Sequence, residues 1–287
     1  MKDQAESLRM MLNSRNDGKL AKTLAVISGK GGVGKSNFSL NFSIALSKKG
    51  YKVLVFDMDI GMGNIDILMG KHPQYTILDF FEREMKLKEI ISNGYENISI
   101  IAGGTGLLHL FSLKEEMFDR FSQEFNSILE EYDFILFDMG AGLSEDSAKF
   151  LLCVEELIII TTPEPTSVMD AYSVMKYIYL LNDSMPFHLV CNRADNRKEG
   201  MDTITRVQNA VKRFLNKEIS PLGILPDDKT VSKAVAKQVP FMIFAPNANV
   251  SRSLTDITTR FINKAPNFTD PKSKGFMQNV KRYLLGR

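Results

Sequence analysis

The sequence predicts an α/β fold in which a mostly parallel, doubly wound sheet carries a phosphate-binding loop. Short apolar runs alternate with helical stretches along the chain, which is typical of βαβ units. Several runs are apolar at consecutive positions, as in strands that are covered by helices on both faces. Ligands of such a fold bind at the carboxyl edge of the sheet. The predicted strands are Thr23 to Ser28, Val53 to Phe56, Ile98 to Ile101, Phe134 to Phe137, Leu157 to Thr161, Phe187 to Cys191 and Leu222 to Leu225.

Length and composition indicate one globular domain with short extensions. The chain has 287 residues, 44% of them hydrophobic and 24% charged, with a net charge of +2. These values exclude disordered and fibrous classes, and the charge is too small to indicate a nucleic-acid partner. No apolar run approaches the roughly 18 residues that a membrane span needs. We therefore expect the protein in the cytosol or on the inner face of the cell membrane.

Cysteine and histidine residues give no sign of a dedicated metal centre. Cys153 and Cys191 lie in apolar runs without a C-x-x-C spacing, so we expect buried thiols in a reducing cytosol. His72, His109 and His188 are dispersed and share no ligand spacing. A metal site beyond Mg²⁺ is not expected.

A glycine-rich loop follows the first predicted strand and opens a helix at Ser36-Asn37. Its sequence is Gly29-Lys30-Gly31-Gly32-Val33-Gly34-Lys35-Ser36. Glycines let successive backbone N–H groups converge on phosphate oxygens, and the helix N-terminus adds a favourable dipole. Lys35 would contact the β- and γ-phosphates, and the Ser36 hydroxyl would bind Mg²⁺. The loop predicts a P-loop nucleotide hydrolase.

Three aspartates stand at the ends of two predicted strands, on the edge that faces this loop. Asp57 and Asp59 follow Val53 to Phe56, and Asp138 follows Phe134 to Phe137. An aspartate after an apolar strand is typical of the Walker B carboxylate near Mg²⁺, although such residues also serve as ordinary helix or turn caps. We predict metal ligation by Ser36, Asp57 and Asp138.

A second lysine, Lys30, precedes Lys35 by five residues and makes the loop resemble the deviant Walker A motif of the MinD/ParA family. The resemblance covers about residues 20 to 262 and includes Asp57-Met58-Asp59-Ile60-Gly61, Asn64-Ile65-Asp66, Asp138-Met139-Gly140-Ala141-Gly142 and Thr162-Pro163-Glu164, before the helix that contains Asp170. It implies an ATP- and Mg²⁺-dependent ATPase that forms a homodimer around ATP.

The resemblance also implies catalytic roles. Lys30 would contact the phosphates held by the other subunit, as an arginine finger does, Lys35 would hold its own subunit's phosphates, and Asp59 would position the attacking water. One departure concerns Met139 and Gly140, which replace the polar residue and proline common at these positions in the division-site relatives. A glycine there predicts a more mobile switch II segment.

The base of the nucleotide is left open by the residues alone. Asn192-Arg193-Ala194-Asp195 has the N-x-x-D spacing with which many GTPases bind guanine. The family resemblance favours ATP instead. It implies that Asn192 and the segment Pro226-Asp227 hold adenine, with Arg193 stacked over the ring.

The last residues predict an amphipathic helix, 275–287, after a linker, 263–274. Phe276, Met277, Val280 and Leu284 fall on one helical face, while the stretch from Lys272 onward carries basic residues, including Lys281 and Arg282, and no acidic residue. This pattern is typical of a helix that binds an anionic membrane surface. The alternative is a terminal helix docked on the core.

The N-terminal segment, 1–20, predicts a weak amphipathic helix closed by the turn Asn16-Asp17-Gly18. Asp3-Gln4-Ala5 with Leu8-Arg9 is similar to the N-terminal motif of the flagellar MinD-like ATPases of the FlhG family. That resemblance implies binding and stimulation of the signal-recognition-type GTPase FlhF through Gln4, Leu8 and Arg9. It also implies a role in flagellar number and placement, with basal-body switch proteins as further candidate partners.

The resulting organisation places an ATPase domain at residues 21–262 between these two extensions. One alternative is a ParA-like partition ATPase that coats DNA nonspecifically through a basic dimer face, although we do not expect DNA as a partner. Another is a ligase of the related P-loop synthetases, for which the sequence offers no visible substrate pocket.

Overall fold

The computed structural model describes residues 20–59, 65–103, 115–264 and 275–284. Within them, eight strands form one sheet in the order β3-β4-β2-β5-β1-β6-β7-β8. All neighbouring strands are parallel except β3, which pairs antiparallel with β4. The strands are β1 (Lys22–Ile27), β2 (Val53–Met58), β3 (Ser92–Asn93), β4 (Ser99–Ile101), β5 (Phe134–Met139), β6 (Glu156–Thr161), β7 (Phe187–Ala194) and β8 (Ser220–Pro226).

Helices lie on both faces of this sheet. They are α1 (Lys35–Ser47), α2 (Ile65–Met69), α3 (Ile77–Glu82), α4 (Glu115–Glu131), α5 (Glu145–Leu151), α6 (Pro165–Leu181), α7 (Arg197–Leu215), α8 (Lys229–Ala236), α9 (Phe241–Phe244), α10 (Asn249–Lys264) and α11 (Gly275–Leu284). Short 3₁₀ turns occur at Leu87–Glu89 and Tyr95–Asn97.

The predicted fold class is confirmed, and each predicted strand is present. The central strands β2, β5 and β6 are buried at every position, which explains their continuous apolar sequences. The two-residue strand β3 is not among the predicted strands, because its sequence, Ser92-Asn93, carries no apolar signal. It closes one edge of the sheet.

Two apolar cores lie on opposite faces of the sheet. One is formed with α3 to α7 and α11, and the other with α1, α2 and α8 to α10. On the second face α1 lies under α10, where the Phe42 and Phe261 rings meet at 5.4 Å, and the Asn41 side chain accepts a hydrogen bond from the Met242 backbone at 2.9 Å. The helix that follows the P-loop is thereby held against the sheet.

The C-terminal helix α11 is docked on the core, which is the alternative given above, so in this conformation its apolar stripe faces the core and not lipid. Phe276, Met277 and Val280 are all buried. The Phe276 ring stacks on Phe137 of β5 with centroids 5.6 Å apart and lies 5.2 Å from Phe125 of α4. Periodicity alone cannot distinguish a stripe that faces lipid from one that faces a core.

Some predicted features lie outside the described residues. They include the N-terminal segment with Gln4, Leu8 and Arg9, the linker from residue 265, His109, and the side chain of Leu284. Among the described helices, none is both long and apolar enough to span a bilayer. Cys153 and Cys191 are free, buried thiols, as expected.

Candidate functional site

The P-loop joins β1 to α1 at the carboxyl edge of the sheet. Gly32 and Gly34 have φ values of 77° and 92°, in the left-handed region that favours glycine. The loop ends at Lys35, the first residue of α1, followed by Ser36 and Asn37. The loop therefore has the backbone path that directs N–H groups and a helix N-terminus toward one anion.

Two close approaches fix this loop and require glycine. A side chain at Gly29 would lie 2.3 Å from the backbone of Asp170 in α6, and one at Gly34 would lie 2.4 Å from the Asn192 side chain. The Asn192 amide also donates a hydrogen bond to the Val33 carbonyl at 2.7 Å. Contacts from β6–α6 and from β7 thus hold both ends of the loop.

Asp57 and Asp138 form a buried carboxylate pair next to the loop. They are register partners on the neighbouring strands β2 and β5. Burial, and then the neighbouring Asp138 carboxylate, raises the pKa of Asp57 to about 7. Burial raises the pKa of Asp138 to about 6, against the opposing effects of the Ser36 and Ser39 hydroxyls. Two acidic groups this deep favour a cation beside them.

The donor set fits Mg²⁺. One carboxylate oxygen of Asp138, Oδ2, is buried without a hydrogen-bond partner, while Oδ1 accepts a hydrogen bond from Ser39 at 2.7 Å. Mg²⁺ prefers oxygen ligands and is held by one or two carboxylates together with substrate phosphates and water. Within the described ranges, no group of three or more His, Cys, Asp or Glu side chains is arranged to hold a metal alone. Ser36, Asp57 and Asp138 therefore suit a metal that arrives with a phosphate.

Lys35 lies in the same buried environment. Its side chain is buried, which lowers its pKa, while Asp138 and Asp59 oppose that shift. The lysine and the Asp138 carboxylate therefore stabilise each other's charges at the bottom of the loop.

Asp59 lies nearer the rim of the site than Asp57. Its backbone N–H donates to Asp57 Oδ1 at 3.0 Å. A side chain at Gly140 would lie 3.3 Å from Asp59 Oδ1, so the aspartate is placed against the glycine-rich segment after β5. This segment is the predicted switch II.

The Lys30 side chain contacts the start of α6. Its ammonium group pairs with Glu164 and donates to the Thr166 hydroxyl at 3.2 Å. The Lys30 side chain is 30% exposed and the Glu164 side chain 62%. The partnership lowers the pKa of the Glu164 carboxyl. The second lysine of the loop is thus placed at the outer rim.

Comparisons with known proteins agree with this geometry. The family model described as "AAA domain" matches residues 21–190. The flagellum site-determining protein YlxH of Helicobacter pylori is 33% identical, covering 99% of this chain and 100% of that protein. The chain belongs to the FleN/YlxH group of MinD/ParA-type ATPases. The antiactivator FleN of Pseudomonas aeruginosa is 30% identical over 217 residues, which are 76% of this chain and 78% of FleN.

Solved MinD structures share the fold of this MinD/ParA-type chain. The cell division ATPase MinD of Pyrococcus furiosus has a TM-score of 0.69 at 23% identity, covering 86% of this chain and all of that one. The septum site-determining protein MinD of Pyrococcus horikoshii, complexed with Mg-ADP, has a TM-score of 0.69 at 24% identity, with 85% and 97% covered.

The predicted base-binding residues of this MinD/ParA-type ATPase meet at the ends of β7 and β8. Ala194 pairs with Pro226, and the Asp227 N–H donates to the Ala194 carbonyl at 2.9 Å. Arg193 has a φ of 55° and an exposed side chain, so it projects from the strand end. The structure therefore brings together Asn192, Arg193, Pro226 and Asp227. One N–H of the Asn192 amide is already used in the hydrogen bond to the P-loop.

Three contacts of the site lie outside the predicted motifs. Ser39 binds Asp138, Glu164 binds Lys30, and Asn192 binds Val33. Ser39 offers a signal, because it lies one helical turn after Ser36 on the same face of α1. The other two join residues 134 and 159 positions apart, and no local pattern encodes them.

Proposed function

We propose that this ATPase dimerises around Mg-ATP, associates with the cell membrane in that state, and controls the placement and number of flagella. The observation that carries the proposal is the position of Lys30 at the exposed rim, where it is available to a second subunit. The names of FleN and YlxH, an antiactivator and a flagellum site-determining protein, support the flagellar part.

The chemical step needs few protein groups. The P-loop N–H groups and Lys35 would bind the phosphates, and Asp59 would orient the water that attacks the terminal phosphate. Ser36, Asp57 and Asp138 would hold Mg²⁺, which when bound would supply positive charge to the phosphate oxygens. The Lys30 ammonium of a facing subunit adds positive charge where negative charge develops.

Membrane association requires α11 to leave the core. Its exposed charges, Lys281 and Arg282, suit an anionic leaflet, and each basic residue near such a surface contributes roughly 1 kcal/mol. Burial of Phe276, Met277 and Val280 opposes release by on the order of 1.5–3 kcal/mol for each side chain. ATP-dependent dimerisation would shift this balance, since two released helices on one dimer bind together far better than one.

The flagellar partner in this proposal is the GTPase FlhF, engaged through Gln4, Leu8 and Arg9. The support is the D-Q-A-x-x-L-R pattern together with the similarity to YlxH over the whole chain. We expect the purified protein to raise the GTP turnover of FlhF, and Gln4→Ala to reduce that stimulation while ATP turnover of the chain itself stays unchanged.

Sedimentation with anionic liposomes tests the switch. The full chain is incubated with ATP or with ADP beside a truncation that ends at Pro271. We expect ATP alone to move the full chain into the pellet, and the truncation to stay in the supernatant. Equal binding with the two nucleotides would refute a nucleotide-controlled membrane switch.

Charge reversals separate membrane contact from core packing. Lys281→Glu with Arg282→Glu changes exposed side chains and should abolish sedimentation without changing thermal stability. Arg206→Glu, on the exposed face of α7, serves as the matched control.

An ATP-dependent, salt-sensitive shift of duplex DNA, with no lipid binding, would instead favour the partition-type alternative.

A further inference from the structure

A cleft of about 430 Å³ lies at the open edge of the sheet, beside β8 and away from the P-loop. Helix α7 covers one face of the sheet and α10 the other, so their ends stand on either side of the β8 edge. A volume of this size is typical of small-molecule sites. Of the residues with a predicted nucleotide role, Pro226 alone lines this cleft, and no P-loop residue does.

Positive charge converges on the cleft from two helices. Arg197 comes from α7, Arg252 and Arg260 come from α10, and Asp256 is the single acidic residue of the lining. No ion pair between Asp256 and these arginines occurs in the described part of the chain. The N-termini of α7 and α10, at Arg197 and Asn249, add the positive ends of two helix dipoles.

Most of the arginine donors are unused. A guanidinium carries five N–H donors. Arg252 donates through Nε to the Asn247 carbonyl at 3.0 Å, and Arg260 donates through one terminal nitrogen to the Leu222 carbonyl. The Arg197 guanidinium has no hydrogen-bond partner among the described residues. Bidentate binding of a phosphate is what such free guanidinium groups favour.

The remaining walls of the cleft are apolar. Met201 of α7, Ile224 and Pro226 of β8, and Ile257 of α10 line it. Met201 is 48% exposed, so this surface is accessible. An apolar wall beside arginines suits a ligand that has a flat or apolar body as well as an anionic group.

The strand edge itself is closed to an added peptide strand. The Leu222 carbonyl is occupied by Arg260, and Lys264 donates to the Pro221 carbonyl at 3.3 Å and to the Ser220 hydroxyl at 3.1 Å. Proline at positions 221 and 226 provides no N–H for pairing. Charged side chains and prolines on an edge strand disfavour strand addition. A small ligand fits better than a peptide.

We propose that the cleft lined by Arg197, Arg252, Met201 and Ile224 is a second ligand site of this chain, for a small phosphate monoester with a flat apolar body. Arg197 and Arg252 bind the phosphate from two sides, and the body lies against Met201 and Ile224. Arg260 holds the strand edge and shapes the floor. The site is separate from the P-loop and does not rest on the flagellar role.

Binding of 1-naphthyl phosphate to the full chain tests the site, with the P-loop filled by stoichiometric Mg-ADP. Fluorescence titration should show one saturable site per chain. Arg197→Ala and Arg252→Ala should each weaken binding by roughly tenfold, the effect of losing a charge-assisted hydrogen bond. Arg206→Ala, an exposed arginine of α7 outside the cleft, should leave binding unchanged.

Two further probes separate the contributions of the phosphate and of the apolar body. Inorganic phosphate and 1-naphthol should each bind more weakly than 1-naphthyl phosphate, because each lacks one half of the ligand. Absence of saturable binding, equal binding by inorganic phosphate, or insensitivity to both arginine substitutions would overturn the proposal. So would binding of duplex DNA through these arginines when 1-naphthyl phosphate does not bind. All variants should bind Mg-ADP and unfold at the wild-type temperature, which excludes a folding defect.

Discussion

Asp57 and Asp59 are two residues apart, yet they differ in burial and therefore suit different roles in the site. Asp57 is buried against Asp138, and its raised pKa of about 7 reflects a site that needs a cation. Asp59 is only partly buried and lies against Gly140 on the segment after β5. A group at this rim can contact a water molecule that approaches the terminal phosphate.

Asp59→Ala should therefore keep nucleotide binding and the ATP-dependent dimer but lose turnover. Removing a group that orients or activates the attacking water lowers the rate by about 10²- to 10⁴-fold. Phosphate release measures turnover, and light scattering after gel filtration with ATP measures the dimer. A variant that hydrolyses ATP at the normal rate would contradict the role of Asp59 in orienting the attacking water.

A second group of buried charges lies at the opposite, amino edge of the sheet. Glu156 contacts Lys22 at 2.5 Å and His188 at 2.8 Å. The neighbouring Glu155 is different, because its Oε1 is buried without a hydrogen-bond partner. Burial raises the pKa of Glu155 to about 7. Its ionised form is therefore unfavourable in the folded state.

Glu155→Gln should stabilise the protein at pH 8 and have little effect at pH 5. The folded pKa is raised, so the wild-type protein loses stability as the pH rises from the ordinary glutamate value, near 4.5, to about 7. The amide mimics the neutral acid and removes that loss, on the order of 1–3 kcal/mol. Urea unfolding at the two pH values measures the change.

Glu130→Gln, an exposed position of α4, provides the control for this experiment. It should change stability by less than about 0.5 kcal/mol at either pH. If Glu155→Gln proved equally neutral at pH 8, the buried side chain would have to be hydrated or paired in solution.

At the scale of elements, α11 shows that a sequence pattern predicts which face of a helix is apolar but not what that face contacts. The helix begins at Gly275 as expected, and its apolar residues do share one face. What they contact depends on a gap above β5 bordered by Phe125, Phe137 and Phe150, which lie far away in the sequence. A local period cannot encode that gap.

The P-loop shows the opposite case. Its loop conformation, the following helix and the positions of Asp57 and Asp138 follow from spacing alone, because the parallel strands end at one edge. The partner of Lys30 is harder to predict from the sequence. Glu164 precedes Pro165, and proline is a favourable first residue of a helix, so the sequence indicates where α6 begins. The contact of Glu164 with the P-loop depends instead on the pairing of β1 with β6, which the local sequence does not indicate.

Phe276→Ala should loosen α11 specifically. A buried phenylalanine replaced by alanine costs about 3–5 kcal/mol, and here the loss is limited to the docking energy of one helix. We expect faster hydrogen exchange and faster proteolysis after residue 264, with the remaining fold unchanged. Lys281→Ala, an exposed position on α11, should behave like the wild type. Unchanged protection of α11 in Phe276→Ala would contradict the docking contact.

At the scale of the whole molecule, the carboxyl edge carries the nucleotide site, and the amino edge carries a structural ion cluster. Lys30 reaches the rim of the carboxyl edge, where Glu164 and Thr166 hold it in the single chain. An exposed pair of this kind contributes little to stability, because water and salt screen it. The lysine can therefore exchange its partner for a phosphate without endangering the fold.

Lys30→Ala should leave the stability of the single chain unchanged but lower ATP turnover by about 10³-fold or more, as loss of an arginine finger does. Complementation then decides which subunit the lysine serves. In a mixture of Lys30→Ala and Asp59→Ala chains, a heterodimer has one site with an intact Asp59 and a Lys30 supplied by the facing chain. We expect turnover to rise well above that of either variant alone. If Lys30 acts on its own nucleotide, both sites of the heterodimer stay defective and mixing restores nothing.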